Sequence, residues 1–156
     1  MVDRDALSAR LNALEGYLAE LRTFRTRSRA EFVREPALHH LAERFLQLAC
    51  ECVLDIAHHV IADQGYRQPS SYKDPMDVMK EEGLLDDDLA DWAESAGVLA
   101  VALADRLKGW MGFRSLLVHF HLDVDHGRPF DAIQNDLGDL EAFARSMAPL
   151  LDEPGI

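Results

Sequence analysis

The chain is poor in cysteine: Cys50 and Cys52 are the whole supply. Two are too few for a disulfide scaffold. Set two apart in an apolar helical pattern, they read as reduced core thiols of a cytoplasmic protein. Long apolar runs are also missing. The longest uncharged one, Val98 to Ala104, falls far short of the roughly 18–20 residues that a spanning helix needs, so no transmembrane segment is expected. The opening MVDRDALSARLN has acids where a basic region would stand and no apolar stretch after it, so no signal peptide is expected. No alternating Val/Ile/Thr run suggests a strand, and no repeat or low-complexity segment appears. A glycine-rich phosphate loop, a G-x-S-x-G elbow and a Cys-His nucleophile pair are absent too.

Basic residues are scarce, 16 against 28 acids, for a net charge of −12. That excludes a general nucleic-acid coat protein or a membrane-surface binder, both of which need a basic excess. The charge is segregated, however. Arg22, Arg25, Arg27, Arg29 and Arg34 crowd a segment whose only acid is Glu31, whereas Asp74 to Glu94 holds nine acids and one lysine. A solvated helix end is the plain reading of the arginine cluster. A patch that tracks RNA phosphates through Arg22, Arg25, Arg27 and Arg29 is the functional one.

What is present reads as helix almost throughout. A length of 156 residues implies one domain over 1–156, able to bury about 68–70% of its unfolded surface. Leu7, Leu11, Leu14, Leu18 and Leu21 form the stripe of a first helix running from Asp3 or Asp5 to about Thr26. Ser28 to Glu35 suits a short capped turn. Pro36 suits the first turn of a second helix, which Gly65 stops after Asp63. Its core stripe is read as Leu38, Leu41, Phe45, Leu48, Cys52, Ile56 and Val60, widened by Ala42, Leu46, Ala49 and Val53. Opposite run His40, Arg44, Gln47, Glu51, Asp55 and His58, a solvated face or the wall of a polar cleft. Asp74 is placed as the cap of a short helix that Gly83 breaks, and Asp86 or Asp87 opens the next. A strongly apolar helix from Trp92 to about Met111 meets Gly109 and Gly112, which weaken it. Phe113 to Phe120 resumes helical character, and Asp123 to Pro129 reads as a polar turn. One last helix from Asp131 aligns Ile133, Leu137, Leu140, Phe143, Met147 and Leu150. The expected fold is all-α: an antiparallel up-and-down bundle of four long helices plus short ones.

The chemistry concentrates in GFRSLLVHFHLDVD, Gly112 to Asp125. Arg114 and His119 form R-x4-H. Arginine offers a planar cationic fork to phosphate oxygens, and histidine exchanges protons near neutral pH. The two lie about 140° apart on an ideal helix, whereas Ser115 and His119 share a face. His119, His121, Asp123, Asp125 and His126 also make an H-x-H-x-D-x-D-H string. A helix end with a mostly solvated turn explains it more simply than a metal, and no metal or other cofactor is expected.

The stretch from DIAHHVIADQGYRQPSSYKD to that motif resembles the HepT-like toxins of the HEPN superfamily. It carries the D-I-x-x-H-x-I helix, the loop Pro69, Ser70, Ser71 and Tyr72, an acidic segment, and then Gly112, Phe113, Arg114, Val118, His119 and Asp123 or Asp125 in order. The resemblance implies a helical homodimer with its R-x4-H motifs at the subunit interface. It implies a metal-independent ribonuclease toxin and a minimal nucleotidyltransferase antitoxin as partner. In related pairs that partner adds AMP to a tyrosine just after the motif histidine. Here Ser115 stands for the usual asparagine and His121 for that tyrosine. The expectation is therefore a cytoplasmic ribonuclease acting on RNA. Arg114 and His119 would carry the chemistry, supported by Ser115 and His121. The alternative is a non-catalytic helical dimer that only binds the nucleotidyltransferase.

Overall fold

The computed structural model describes residues 2–86, 95–96, 101–119 and 125–152. Among these, every regular element is helical. Helix α1 spans Arg4–Thr23, and a single 3-10 turn, Phe24–Thr26, follows it. The Asp3 carboxylate caps α1 by accepting from the Ala6 amide at 3.0 Å, and the predicted leucine stripe, Leu7 to Leu21, is buried. Each such leucine contributes about 1.5–3 kcal/mol by leaving water. The stripe packs along α3, Pro36–Gln64, after the short α2, Arg29–Arg34, which Ser28 caps. Pro36 sits in the first turn of α3, where its missing N–H is not needed. Gly65 closes the helix at φ 69°, a left-handed conformation that glycine adopts without strain.

The core face of α3 departs from the expected stripe. Ala42, Leu46, Ala49, Cys50, Val53, Ile56, Ala57 and Val60 are buried. Leu38, Phe45, Leu48 and Cys52 are only half-buried, and Leu41 is 50% exposed. The helix is apolar over a wide arc, and α1 takes only part of it. By length and composition α3 would pass for a membrane span, which a search for uninterrupted apolar runs does not detect. Its buried face makes it the central helix of the bundle instead.

Helix α4, Asp74–Glu81, begins at Asp74 rather than being capped by it. The Asp74 carboxylate reaches back to the preceding loop. It accepts from Arg67 Nη1 at 2.6 Å and from the Ser70 amide at 2.7 Å, while Arg67 Nε also bonds Glu81 at 2.8 Å. The Arg67 guanidinium, then the Ser70 amide, hold the buried Asp74 carboxyl well below the usual carboxylate range. A depressed carboxylate pKa stabilises the fold above the ordinary Asp value, about 3.9, and that stability fades as pH falls through and below it. Asp74→Asn is therefore expected to melt below wild type at pH 7. The gap should narrow by pH 3, as thermal melts followed by circular dichroism at the two pH values will show.

Helix α5, Leu103–His119, carries the motif and runs without interruption through Gly109 and Gly112. The segment expected to be the last helix is three. Helix α6 is Gly127–Asn135, α7 is Leu137–Met147 and α8 is Pro149–Asp152. The chain breaks at Asp136 and again before Pro149. Helix α6 also starts within the stretch read as a turn, with Pro129 buried. Ile133, Leu137, Leu140, Phe143, Met147 and Leu150 are all buried, so the predicted apolar register survives the breaks. Readings placed on Asp87 to Glu94, Gly97 to Ala100, Phe120 to Val124 and the last four residues lie outside the described residues.

Candidate functional site at the motif helix

Arg114 projects from α5 toward α3. Its Nη2 donates to Glu51 Oε1 at 3.0 Å, and Gln47 Nε2 donates to the same oxygen at 3.1 Å. Burial alone would push the Glu51 carboxyl up. The bonds from Gln47 and Arg114 outweigh it and hold Glu51 below its ordinary range, while Glu51 in turn raises Arg114. Both groups are charged across the physiological range as a result.

Tyr72, on the Pro69–Tyr72 loop, covers the other side of the guanidinium, with Arg114 Cζ 5.7 Å from its ring centroid. The Tyr72 hydroxyl donates to the Met111 carbonyl at 3.1 Å, which pins the loop to the motif helix. Lys73, next in the chain, lies over Gly112, where a Cβ would meet its flexible Nζ at 3.1 Å. The Arg67–Asp74–Glu81 network braces the same loop from its far side.

Arg114 Nε is buried and has no hydrogen-bond partner among the described residues. A buried donor left unpaired costs about 1–3 kcal/mol. The guanidinium is thus anchored on one side by Glu51, and the other donors of its planar fork are of the kind that phosphate oxygens take.

His119 is the last residue of α5, one turn beyond the half-buried Ser115. His121 and Asp123 lie outside the described residues. His126, read as solvated, is half-buried instead. It stacks on His39 with ring centroids 3.6 Å apart and bonds Glu43 through Nδ1. His39 is buried with Nδ1 on the Phe32 carbonyl at 3.0 Å, whereas His40 faces outward. These contacts dock α6 against α3.

The arginine cluster is engaged within the chain. Arg22 pairs with Glu141 at 3.5 Å, and Arg25 Nε donates to the Ile133 carbonyl at 3.1 Å. Arg27 pairs with Glu31 at 3.0 Å, and Arg29 with Asp131 at 3.4 Å. Cys50 is no nucleophile: burial pushes its thiol up to about 12, against the opposing field of Arg114.

Glu51 and Tyr72 are the site residues that sequence reading did not single out. Glu51 was visible within the polar stripe of α3, and Tyr72 within the Pro-Ser loop. Neither pattern states that both converge on Arg114.

Among the described residues the bundle is all-helical, and its motif helix holds the R-x4-H arginine between an acidic anchor and an aromatic cover. Residues 14–97 and 89–147 match the family described as Ribonuclease HepT-like, and the chain belongs to that family. It is 26% identical over 98 residues to the mRNA nuclease HepT of Shewanella oneidensis, a match spanning 63% of each chain. Its fold is shared with the tri-AMPylated Shewanella oneidensis HEPN toxin solved in complex with an MNT antitoxin. There the TM-score is 0.75 and identity 20%, covering 96% of this chain and 99% of that one. The cytosolic Bacillus subtilis protein YutE, of unknown function, also shares it, with a TM-score of 0.74 and 24% identity over 97% of this chain and 92% of that one.

Proposed function

We propose that this protein is a ribonuclease toxin that cleaves RNA without a metal and is neutralised by a cognate minimal nucleotidyltransferase. The ribose 2′-OH attacks the adjacent phosphate, breaking the bond to the 5′-oxygen and leaving a 2′,3′-cyclic phosphate. His119 takes or returns the proton, and Arg114 stabilises the charge that grows on the phosphate oxygens. Ser115 orients the imidazole or the phosphate, and His121 is secondary. The observation that carries this reading is Arg114 itself, half-buried and held by Glu51 and Tyr72. An RNA strand that continues along Arg22, Arg25, Arg27 and Arg29 exchanges their partners within the chain for phosphates. The test is degradation of RNA by purified protein, alone and with a cognate minimal nucleotidyltransferase. Cleavage that the partner suppresses supports the reading. An inert protein that still binds the partner supports the non-catalytic alternative. In this chain AMP transfer to a phenol at position 121 has no acceptor, since His121 stands there.

The working unit we propose is a cytoplasmic homodimer with the motif helices facing each other. Leu41, Phe45, Leu48 and Cys52 form a half-open apolar strip on α3, and Leu116, Leu117 and Val118 are half-exposed on α5. A second copy would cover the exposed Leu41 and the half-buried apolar residues around it. Light scattering at micromolar concentration is expected to give twice the monomer mass of 17.5 kDa. Leu41→Glu should shift it toward the monomer, and a monomeric wild type would contradict the proposal.

A further inference from the structure

Beside the motif arginine, about a quarter turn around α5, lies an open cleft of about 450 Å³ between α5, α6 and α7. That size is within the range of small-ligand sites. Phe113 forms one wall, and Trp110 fixes it from beneath in an edge-to-face contact at 5.9 Å. The polar groups around the cleft fall into two sets. Asp139 is fully used, accepting from Arg106 Nε at 2.8 Å and Trp110 Nε1 at 3.2 Å. Asp131 is engaged by Arg29. Asp136 and Arg128, by contrast, have no side-chain partner among the described residues. Asp136 occupies the cap position of α7 yet makes no capping bond, so its carboxylate is not spent on the helix.

We infer that this cleft binds a guanine nucleotide, the base stacked on Phe113 and paired to Asp136, with a phosphate on Arg128. An aromatic face stacks any base, so the discrimination falls to the carboxylate. Guanine presents two parallel donors, N1–H and the exocyclic N2–H, which fit the two oxygens of one carboxylate. Adenine and cytosine each offer a donor beside an acceptor, and uracil offers one donor between two acceptors. Each of those leaves a lone pair facing Asp136. Burial, then the fields of Asp139 and Asp131, push the Asp136 carboxyl up, which is the condition of a carboxylate that gains from new donors. Arg128 supplies the planar fork that phosphate takes. A cationic side chain is the less fitting occupant, because Arg106 and Arg29 already neutralise two of the three carboxylates.

The cleft deepens the ribonuclease reading and its use in cleavage rests on it. Phe113 and Arg114 are adjacent in sequence and point about 100° apart around one helix of roughly 10 Å diameter. A strand whose scissile phosphate lies on Arg114 is therefore within about one helix diameter of the cleft, close enough for a neighbouring base to enter it. A guanine seated there fixes where the chain is cut.

The test uses the full chain carrying Trp92→Phe, which leaves Trp110 as its single indole. Its fluorescence is titrated with GMP, AMP, CMP and UMP, and with arginine amide as a cationic probe. GMP is expected to saturate at a concentration at least about tenfold below the other nucleotides. Asp136→Asn should erase that preference, and Arg128→Ala should weaken GMP more than guanosine, with helical content unchanged in both. In cleavage mapping, wild type should cut at a fixed offset from guanine, and Asp136→Asn should still cut but without the bias. Cleavage with no guanine bias and no GMP binding overturns the subsite and leaves the ribonuclease reading intact. GMP binding by a protein that cuts no RNA supports the site and overturns the ribonuclease reading. A response to arginine amide alone overturns the nucleotide assignment.

Discussion

Purified His119→Ala is expected to cleave RNA about 10²–10⁴-fold more slowly than wild type, the usual loss on removing a positioned acid or base. The helical circular dichroism should not change, because histidine and alanine are both tolerated in a helix. Arg114→Lys is expected to fail as well. An ammonium is a point charge; it supplies neither the planar face against Tyr72 nor a fork that can bond Glu51 and a phosphate at once. Glu51→Gln should cost less, since it loosens the guanidinium without removing it, and the loss should appear in kcat more than in KM. His121→Tyr should retain cleavage and supply the phenol that AMP transfer needs. Initial rates on one labelled RNA, measured for these four variants and for His121→Ala, check this order. Full activity in His119→Ala with loss in His121→Ala would reverse the assignment of roles.

Phe32→Ala is expected to lower the unfolding free energy by about 3–5 kcal/mol, a large share of the roughly 5–15 kcal/mol that holds a domain folded. Phe32 is fully buried at the meeting point of four elements. Its ring contacts Phe24 at 6.2 Å, Phe130 at 5.4 Å and His39 at 6.4 Å. Its carbonyl accepts from His39 Nδ1. Truncation opens a void that four elements cannot all close into. It should also loosen α6, which carries Arg128 and Asp131 to the cleft beside the motif. Urea unfolding should show a lower midpoint with an unchanged slope. A loss below about 1 kcal/mol would mean that the junction repacks and that α6 is held by other contacts.

The bounds of α3 were legible because Pro36 and Gly65 are strong punctuation with single physical meanings. Its buried face was not. Leu38, Leu41, Phe45, Leu48 and Cys52 are as apolar as Ala42, Leu46, Ala49 and Val53, so periodicity defines a wide arc without saying which half α1 covers. The bend at Asp136 was hidden for a related reason. Apolar register continues from Ile133 to Leu150 across both breaks, and register is what reveals a helix. Arg114 and His119 were legible as a motif with a family behind it. The anchoring of Arg114 was not, because Glu51 lies 63 residues away. Their meeting depends on how α5 is rotated against α3, which no local pattern encodes.

The mechanism places the nucleophile on the RNA rather than on the protein or on water. An oligoribonucleotide carrying a single 2′-deoxy residue immediately 5′ of the mapped cut tests that claim directly. The account predicts no cleavage at that bond, uncut product in its place, and 2′,3′-cyclic phosphate ends on fragments of the all-ribose control. Cleavage of the deoxy-substituted bond at the wild-type rate would contradict it.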